Sequence, residues 1–351
     1  MPPYSAHQEA HSTIGRVSLS PLSTTGLRRR PPSGRLQRLG RAFKRQTPLM
    51  LGLACLTWLI GGLYVALNGA TLDLVGTWAV LGLAIAALVA AAHEIERSVI
   101  YDVASAERAS RRRVASAAPQ ISLRTLRHLS PDMRTPLGCA IYRPESAYAT
   151  AIRHFVSTLT DSQVVAMLGS TPRNGATATA SSVAALAAQQ GKNVLLVDCD
   201  LRQRGVTRLL DAEPAAGVLE AVANPRIWPT LIVQEPETGL QIMPAARLAN
   251  PWGRLFGEPG LTELIAQWRE RYDVIVLDCP PALTNADGAM LTRLADLSVL
   301  VVSWDDTPSA ELRQMMRRLR QSAPQLVSLH LNRAPLDVLE EVRAAPLPEQ
   351  V

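Results

Sequence analysis

The sequence predicts an α/β domain on a mainly parallel, doubly wound sheet, preceded by a two-helix transmembrane hairpin. Three observations predict it. Short apolar runs alternate with helix-like runs from about residue 144 onward. A glycine-bearing turn, "STPRNGAT" (170–177), joins the first apolar run to an alanine-rich stretch. Two uncharged apolar stretches, six residues apart, come before all of this. Strands alternating with helices pair in parallel, because each crossover helix covers one face of the sheet. Ligands of such sheets bind at the carboxyl ends of the strands.

Residues 1–47 are rich in Pro, Ser, Gly and Arg and lack apolar periodicity, which predicts a disordered tail. Residues 1–48 carry nine Lys/Arg against one Glu. Only one aromatic residue, Phe43, lies among these arginines, so they read as a topology signal and lipid-headgroup contact, not as a nucleic-acid surface. Pro48–Leu67 holds 20 residues without a charge, enough to cross a hydrocarbon core of about 30 Å. "NGATLD" (68–73) makes the turn, and Leu74–Ala92 gives a second span of 19 residues. Gly61, Gly62 and Gly82 permit close packing of the two helices. Arginines flank both outer ends, which places the N- and C-termini on the cytoplasmic side. The expected division is a basic tail at 1–47, the hairpin at 48–93, a juxtamembrane helix and linker at 94–143, the α/β domain at 144–335 and a tail at 336–351. The four cysteines form no C-x-x-C pair, so neither a disulfide framework nor a zinc site is expected.

Within the domain the expected strands are 163–168, 193–198, 240–245, 272–278, 297–303 and 326–332. Helix-like runs cover Thr177–Gln190, Gly260–Arg271 and Pro308–Ser322. Several strands end in acid: "NVLLVDCD" closes with Asp198 and Asp200, and "YDVIVLD" with Asp278. Carboxylates at strand ends beside a phosphate loop suit Mg²⁺, which takes oxygen ligands and keeps several waters. Thr177 stands where a P-loop hydroxyl ligates that metal. The chain is therefore read as P-loop NTPase-like, although Ala176 occupies the position of the lysine in the G-x-x-x-x-G-K-[ST] pattern.

From about Glu145 to Asn332 the sequence resembles the bacterial tyrosine kinases (BY-kinases) of the polysaccharide co-polymerase group, deviant P-loop ATPases related to MinD and ParA. The resemblance is carried by "STPRNGAT", "VLLVDCDLRQRG", "YDVIVLDCPPALTNADG", "LQIMPAARLANP" and "ADLSVLVVSWDDTP". It implies an ATP/ADP and Mg²⁺ site. The nucleotide would meet Ser170, Arg173, Asn174, Gly175, Ala176, Thr177 and Ala178, with Asn332 reading adenine. Thr177, Asp200 and Asp278 would hold the metal, and Asp198 would act as catalytic base beside Asp200 and Asp278. It also implies residence in the bacterial inner membrane, homo-oligomerisation and partners in exopolysaccharide or capsule synthesis and export.

The departures matter equally. The lysine is Ala176, the first loop residue is Ser170, and Thr171 stands where MinD-type loops put their signature lysine. Lys44 and Lys192 are the only lysines, and Lys192 starts a strand at the end away from the loop. Tyr272 is the last tyrosine, so the family's C-terminal tyrosine cluster is missing. The loop between the spans has six residues, so any periplasmic chain-length component must be a separate protein. Two outcomes stay open for the pocket: weak nucleotide binding with poor turnover, or none. The expected function is a catalytically impaired, BY-kinase-like regulator of polysaccharide assembly, a pseudokinase. An active kinase or ATPase with an atypical loop is the alternative, followed by a MinD/ParA-like positioning ATPase.

Overall fold

The computed structural model describes residues 99–159, 164–210, 213–247, 259–322 and 327–344, and, nearer the N-terminus, 52, 55–61, 64, 77–78 and 80–88. One eight-stranded sheet organises the body. Its strands are β1 (Val114–Pro119), β2 (Val164–Gly169), β3 (Val194–Asp198), β4 (Val233–Gln234), β5 (Gln241–Met243), β6 (Val274–Asp278), β7 (Leu297–Ser303) and β8 (Val327–Ala334). They lie in the order β1-β8-β7-β2-β6-β3-β5-β4. Every pairing is parallel except β4 with β5. The doubly wound, mainly parallel sheet is thus present, and all six expected strands are in it.

The central strands were legible for a physical reason. Every residue of β2, β3, β6 and β7 is buried. A strand covered on both faces is apolar throughout, so it appears as an unbroken hydrophobic run. A helix at Ala176–Gln189, here α5, packs on β2, β3 and β6. Its small buried residues, among them Ala180, Ala184 and Ala187, let it lie close to the sheet.

The stretch expected to be charged helix and linker is corrected by the structure. Val103–Ser110 is helical (α1), but Val114–Pro119 then joins the sheet as β1, paired with β8. Helices α2 (Leu123–Arg127), α3 (Pro136–Tyr142) and α4 (Ala147–Ser157) follow. Each helix from α1 to α4 has a side-chain N-cap, in turn Asp102, Ser122, Thr135 and Ser146. Such caps satisfy backbone N–H groups at helix starts and are typically worth about 1 kcal/mol each. Helix α4 packs on both β1 and α5, and Val99 bridges to Pro308. "VASAAP" carries little strand propensity. Pairing with β8 and cover from α4 make it a strand, a tertiary effect that overrides local preference. Leu336–Ala344, expected as tail, is a helix packed on β1.

The expected hairpin and N-terminal tail fall largely outside the described residues. Residues 55–61 and 80–88 are helical. The Tyr64 and Trp78 rings lie 5.9 Å apart, and a Cβ on Gly61 would stand 2.8 Å from Trp78 Cγ. That close approach agrees with the small-residue packing expected of these segments. Among the described residues no helix is long and apolar enough to cross a membrane.

Ala118 is fully buried in β1. Replacing it with Leu is expected to destabilise the protein by about 1–3 kcal/mol through overpacking. A linker position would tolerate the change within about 0.5 kcal/mol. Denaturant unfolding midpoints of the two proteins measure the difference.

Candidate nucleotide site

The chain places its candidate residues at the carboxyl edge of three neighbouring strands, β2, β6 and β3. Asp278 is the register partner of Met167 on one side and of Asp198 on the other. The loop after β2, the ends of β3 and β6, and the start of α5 therefore meet because the strands are parallel and in phase.

The loop holds its own shape. Asn174 is buried, and its Oδ1 accepts from Thr171 N at 2.9 Å and from Thr171 Oγ1 at 3.1 Å. Its Nδ2 donates to Thr307 Oγ1 at 2.9 Å. The same hydroxyl accepts from Ser303 N at the end of β7. Asn332, at the far side of β8, donates through Nδ2 to the Asn174 carbonyl at 2.9 Å. Gly175 adopts φ 95°, a left-handed conformation that caps α5, and a Cβ there would collide with the Asn332 amide. Arg173 is also left-handed, with φ 74°, and exposed. Left-handed residues of this kind form the concave nests that receive anions. Asn332, expected to read adenine, thus has one amide N–H engaged by the loop backbone.

The acids divide into bonded and unbonded groups. Asp198 Oδ2 accepts from Thr207 N at 2.8 Å and Thr207 Oγ1 at 2.7 Å, and its Oδ1 accepts from Asp200 N at 3.2 Å. Asp200 Oδ1 caps the following turn through Arg202 N and Gln203 N. Asp278 is fully buried, and among the described residues neither carboxylate oxygen has a hydrogen-bond partner. The neighbouring Thr177 hydroxyl favours its ionised form. Burial pushes Asp278 well above the usual carboxylate range, and the adjacent Asp198 adds to the shift. Burial also pushes Asp198 up to about 6, against the opposing pull of the Thr207 bonds. Asp200 is raised by the same cause, partly offset by its backbone donors.

An unpartnered buried carboxylate is costly unless it is neutral or faces a cation. Asp278 therefore fits a Mg²⁺ ligand, with Thr177 and Asp200 nearby in the chain's expected set. Among the described residues no group of three His, Cys, Asp or Glu side chains forms a preformed metal cage. Mg²⁺ bound with a nucleotide needs none, since one or two carboxylates and the phosphates suffice. The phosphate side is less complete. Ala176 brings no charge, and Ser170 Oγ donates to Glu311 Oε2 at 3.3 Å, placing a carboxylate at the start of the loop.

The structure brings together the loop and the three strand-end acids that the sequence singled out. Sequence reasoning missed Thr207, Thr307 and Glu311. Each reaches the site from nine or more residues away in sequence, so no local spacing marks them. The turn after β3 brings in Thr207, and the order of the sheet brings in Thr307 and Glu311.

Residues 162–327 match a family model described as an AAA domain. The succinoglycan biosynthesis transport protein ExoP of Rhizobium meliloti is 29% identical over 182 residues, 51% of this chain and 23% of ExoP. The tyrosine-protein kinase Etk of Escherichia coli K12 is 25% identical over 199 residues, 55% of this chain and 27% of Etk. The chain thus matches about a quarter of the length of these relatives. Among solved structures, the E. coli Etk kinase domain superposes with a TM-score of 0.54 at 22% identity, over 65% of this chain and 93% of that one. The BceF tyrosine kinase domain gives 0.59 at 24% identity, over 68% and 100%. At these identities the structural likeness establishes the fold.

The raised Asp278 and Asp198 values set a pH dependence. Above about pH 4 the unfolded chain releases protons that the folded chain retains. Folding stability therefore falls as pH rises from about 4 through 6 and beyond. Asp278→Asn removes the ionising group while keeping its shape. It is expected to raise stability at pH 8 by about 1–3 kcal/mol and to flatten the pH profile, read from denaturant melts between pH 4 and 8.

Proposed function

We propose that this chain, which carries a P-loop domain of the BY-kinase and MinD/ParA type, is a membrane-anchored and catalytically impaired regulator of exopolysaccharide or capsule synthesis and export. One observation carries the reading: a self-supported phosphate loop and an unpartnered Asp278 stand together with Ala176 in the lysine position. The loop, the fold and the acidic set survive, and the mobile positive charge does not.

Phosphoryl transfer is chiefly positioning and charge stabilisation. Asp278, Asp200 and Thr177 would hold Mg²⁺, which supplies positive charge to the phosphates of a bound ATP or ADP. Asp198, tied to Thr207, is held in place as a proton acceptor. Loss of one preorganised donor at a developing charge costs roughly 10²–10³ in rate, and Glu311 adds repulsion. Nucleotide binding is accordingly weak or absent, and the domain works through assembly. Its partners are copies of itself and other polysaccharide synthesis or export proteins, among them a separate periplasmic component. The apolar stretches at 48–67 and 74–92 would anchor it in the inner membrane with both termini cytoplasmic. In support, most exposed large apolar side chains among the described residues lie between Leu56 and Leu88.

A second reading, an active tyrosine kinase or ATPase, is favoured by the exposed Arg173 in the loop, whose guanidinium would supply the charge. Arginine is planar and bulkier than an ammonium group, which makes it a poor replacement.

Ala176→Lys is the discriminating variant. In the impaired-regulator reading the native chain shows negligible ATP hydrolysis and no tyrosine autophosphorylation, and A176K gains calorimetric affinity for Mg²⁺–ATP. Phosphate release by the native chain that Asp278→Ala abolishes would overturn the reading. Loss dependent on Arg173→Ala would establish the second. Gene deletion with analysis of polymer amount and length tests the link to polysaccharide.

A further inference from the structure

We infer that the helix following β7, together with the end of α1, forms a basic face that rests on an anionic phospholipid surface. The helix spans Ser309–Ser322 and is called α10 here. It carries four arginines and one glutamate, whereas residues 136–351 as a whole carry 19 basic and 23 acidic side chains. The helix is thus basic within a stretch of chain that is net acidic.

The exposed positions of α10 are 310, 313, 314, 317, 320 and 321, a single stripe at helical spacing. Arg313, Arg317 and Arg320 lie on it, and no acid does. Glu311 is instead turned towards Ser170. None of the three arginines forms an ion pair among the described residues. Helix α10 packs along α1, whose end runs into the exposed Arg111, Arg112 and Arg113. Two elements far apart in sequence therefore present arginines side by side.

The chain path gives the second argument. Ile100 N donates to Thr307 O at 2.9 Å, Asp305 N donates to Ile100 O at 2.8 Å, and Val99 bridges Pro308. Pro308 immediately precedes α10. The second apolar stretch ends at Ala92, eight residues before Ile100. Eight extended residues span at most about 28 Å. The tether thus ends on the strand-like clasp that starts α10, which keeps the arginine stripe near any bilayer holding residues 74–92. A negatively charged leaflet attracts basic side chains within about 10 Å of its surface. The inference rests on the membrane anchorage proposed above.

The test uses the full chain reconstituted in vesicles of phosphatidylcholine alone or mixed with phosphatidylglycerol. Phenylglyoxal modification of each arginine is followed by mass spectrometry, and a carbonate wash reads anchorage separately. Arg313, Arg317 and Arg320 are expected to react about fivefold more slowly in the anionic vesicles, the factor an anionic leaflet gives one basic side chain. Salt at about 1 M, where the screening length is about 3 Å, is expected to abolish the difference. Arg226, exposed in the turn before β4 at the opposite edge of the sheet from β1, serves as the unaffected control. Equal rates in carbonate-resistant vesicles overturn this inference and leave the anchorage standing. So does protection that is independent of lipid charge, the result expected if the face instead serves another protein. Extraction by carbonate overturns the anchorage and this inference with it.

Discussion

Asp198 and Asp278 end adjacent parallel strands as register partners, and both are fully buried. The sheet brings two carboxylates together in a place with little water, where like charges repel and neither is well solvated. Thr207 stabilises one of them with its N–H and hydroxyl. The other forms no hydrogen bond among the described residues. A fold does not stabilise itself by this arrangement, since an apolar pair of similar size would pack at lower cost. The rest of the site is arranged around that expense: the Thr207 turn, the neighbouring Thr177 and the start of α5 all converge on it.

The loop beside these acids has a different character. Its shape comes from Asn174, which bonds Thr171 and Thr307, and from Asn332, which bonds the Asn174 carbonyl. The network joins the loop to the ends of β7 and β8. Many phosphate loops owe their order to the anion they bind, whereas this one is braced by amide and hydroxyl groups of its own chain.

Charge is distributed on a larger scale with the same economy. Residues 136–351 are net acidic, the segments near the apolar stretches are basic, and α10 is a basic element placed by the Ile100–Thr307 clasp next to α1. Residues 99–119 belong to the folded body through two pairings: Val99 bridges Pro308, next to Thr307, and Ala118 in β1 pairs with Asn332, and both Thr307 and Asn332 bond Asn174.

The sequence by itself determined the central sheet and the acidic set. β2, β3, β6 and β7 are buried on both faces, so each was written as an unbroken apolar run, and Asp198, Asp200 and Asp278 were visible as the residues that end two of them. The absence of the lysine was equally plain, because a P-loop is a contiguous motif. Tertiary structure alone decided what depends on contacts between distant segments. "VASAAP" became an edge strand because β8 offered it hydrogen bonds, Asn332 became a brace because β8 ends beside Asn174, Thr207 folded back onto Asp198 from the turn after β3, and Glu311 entered the site across the sheet. Periodicity records which faces a segment buries. It carries no record of which neighbour a polar side chain meets, and in this protein those meetings leave Asp278 alone.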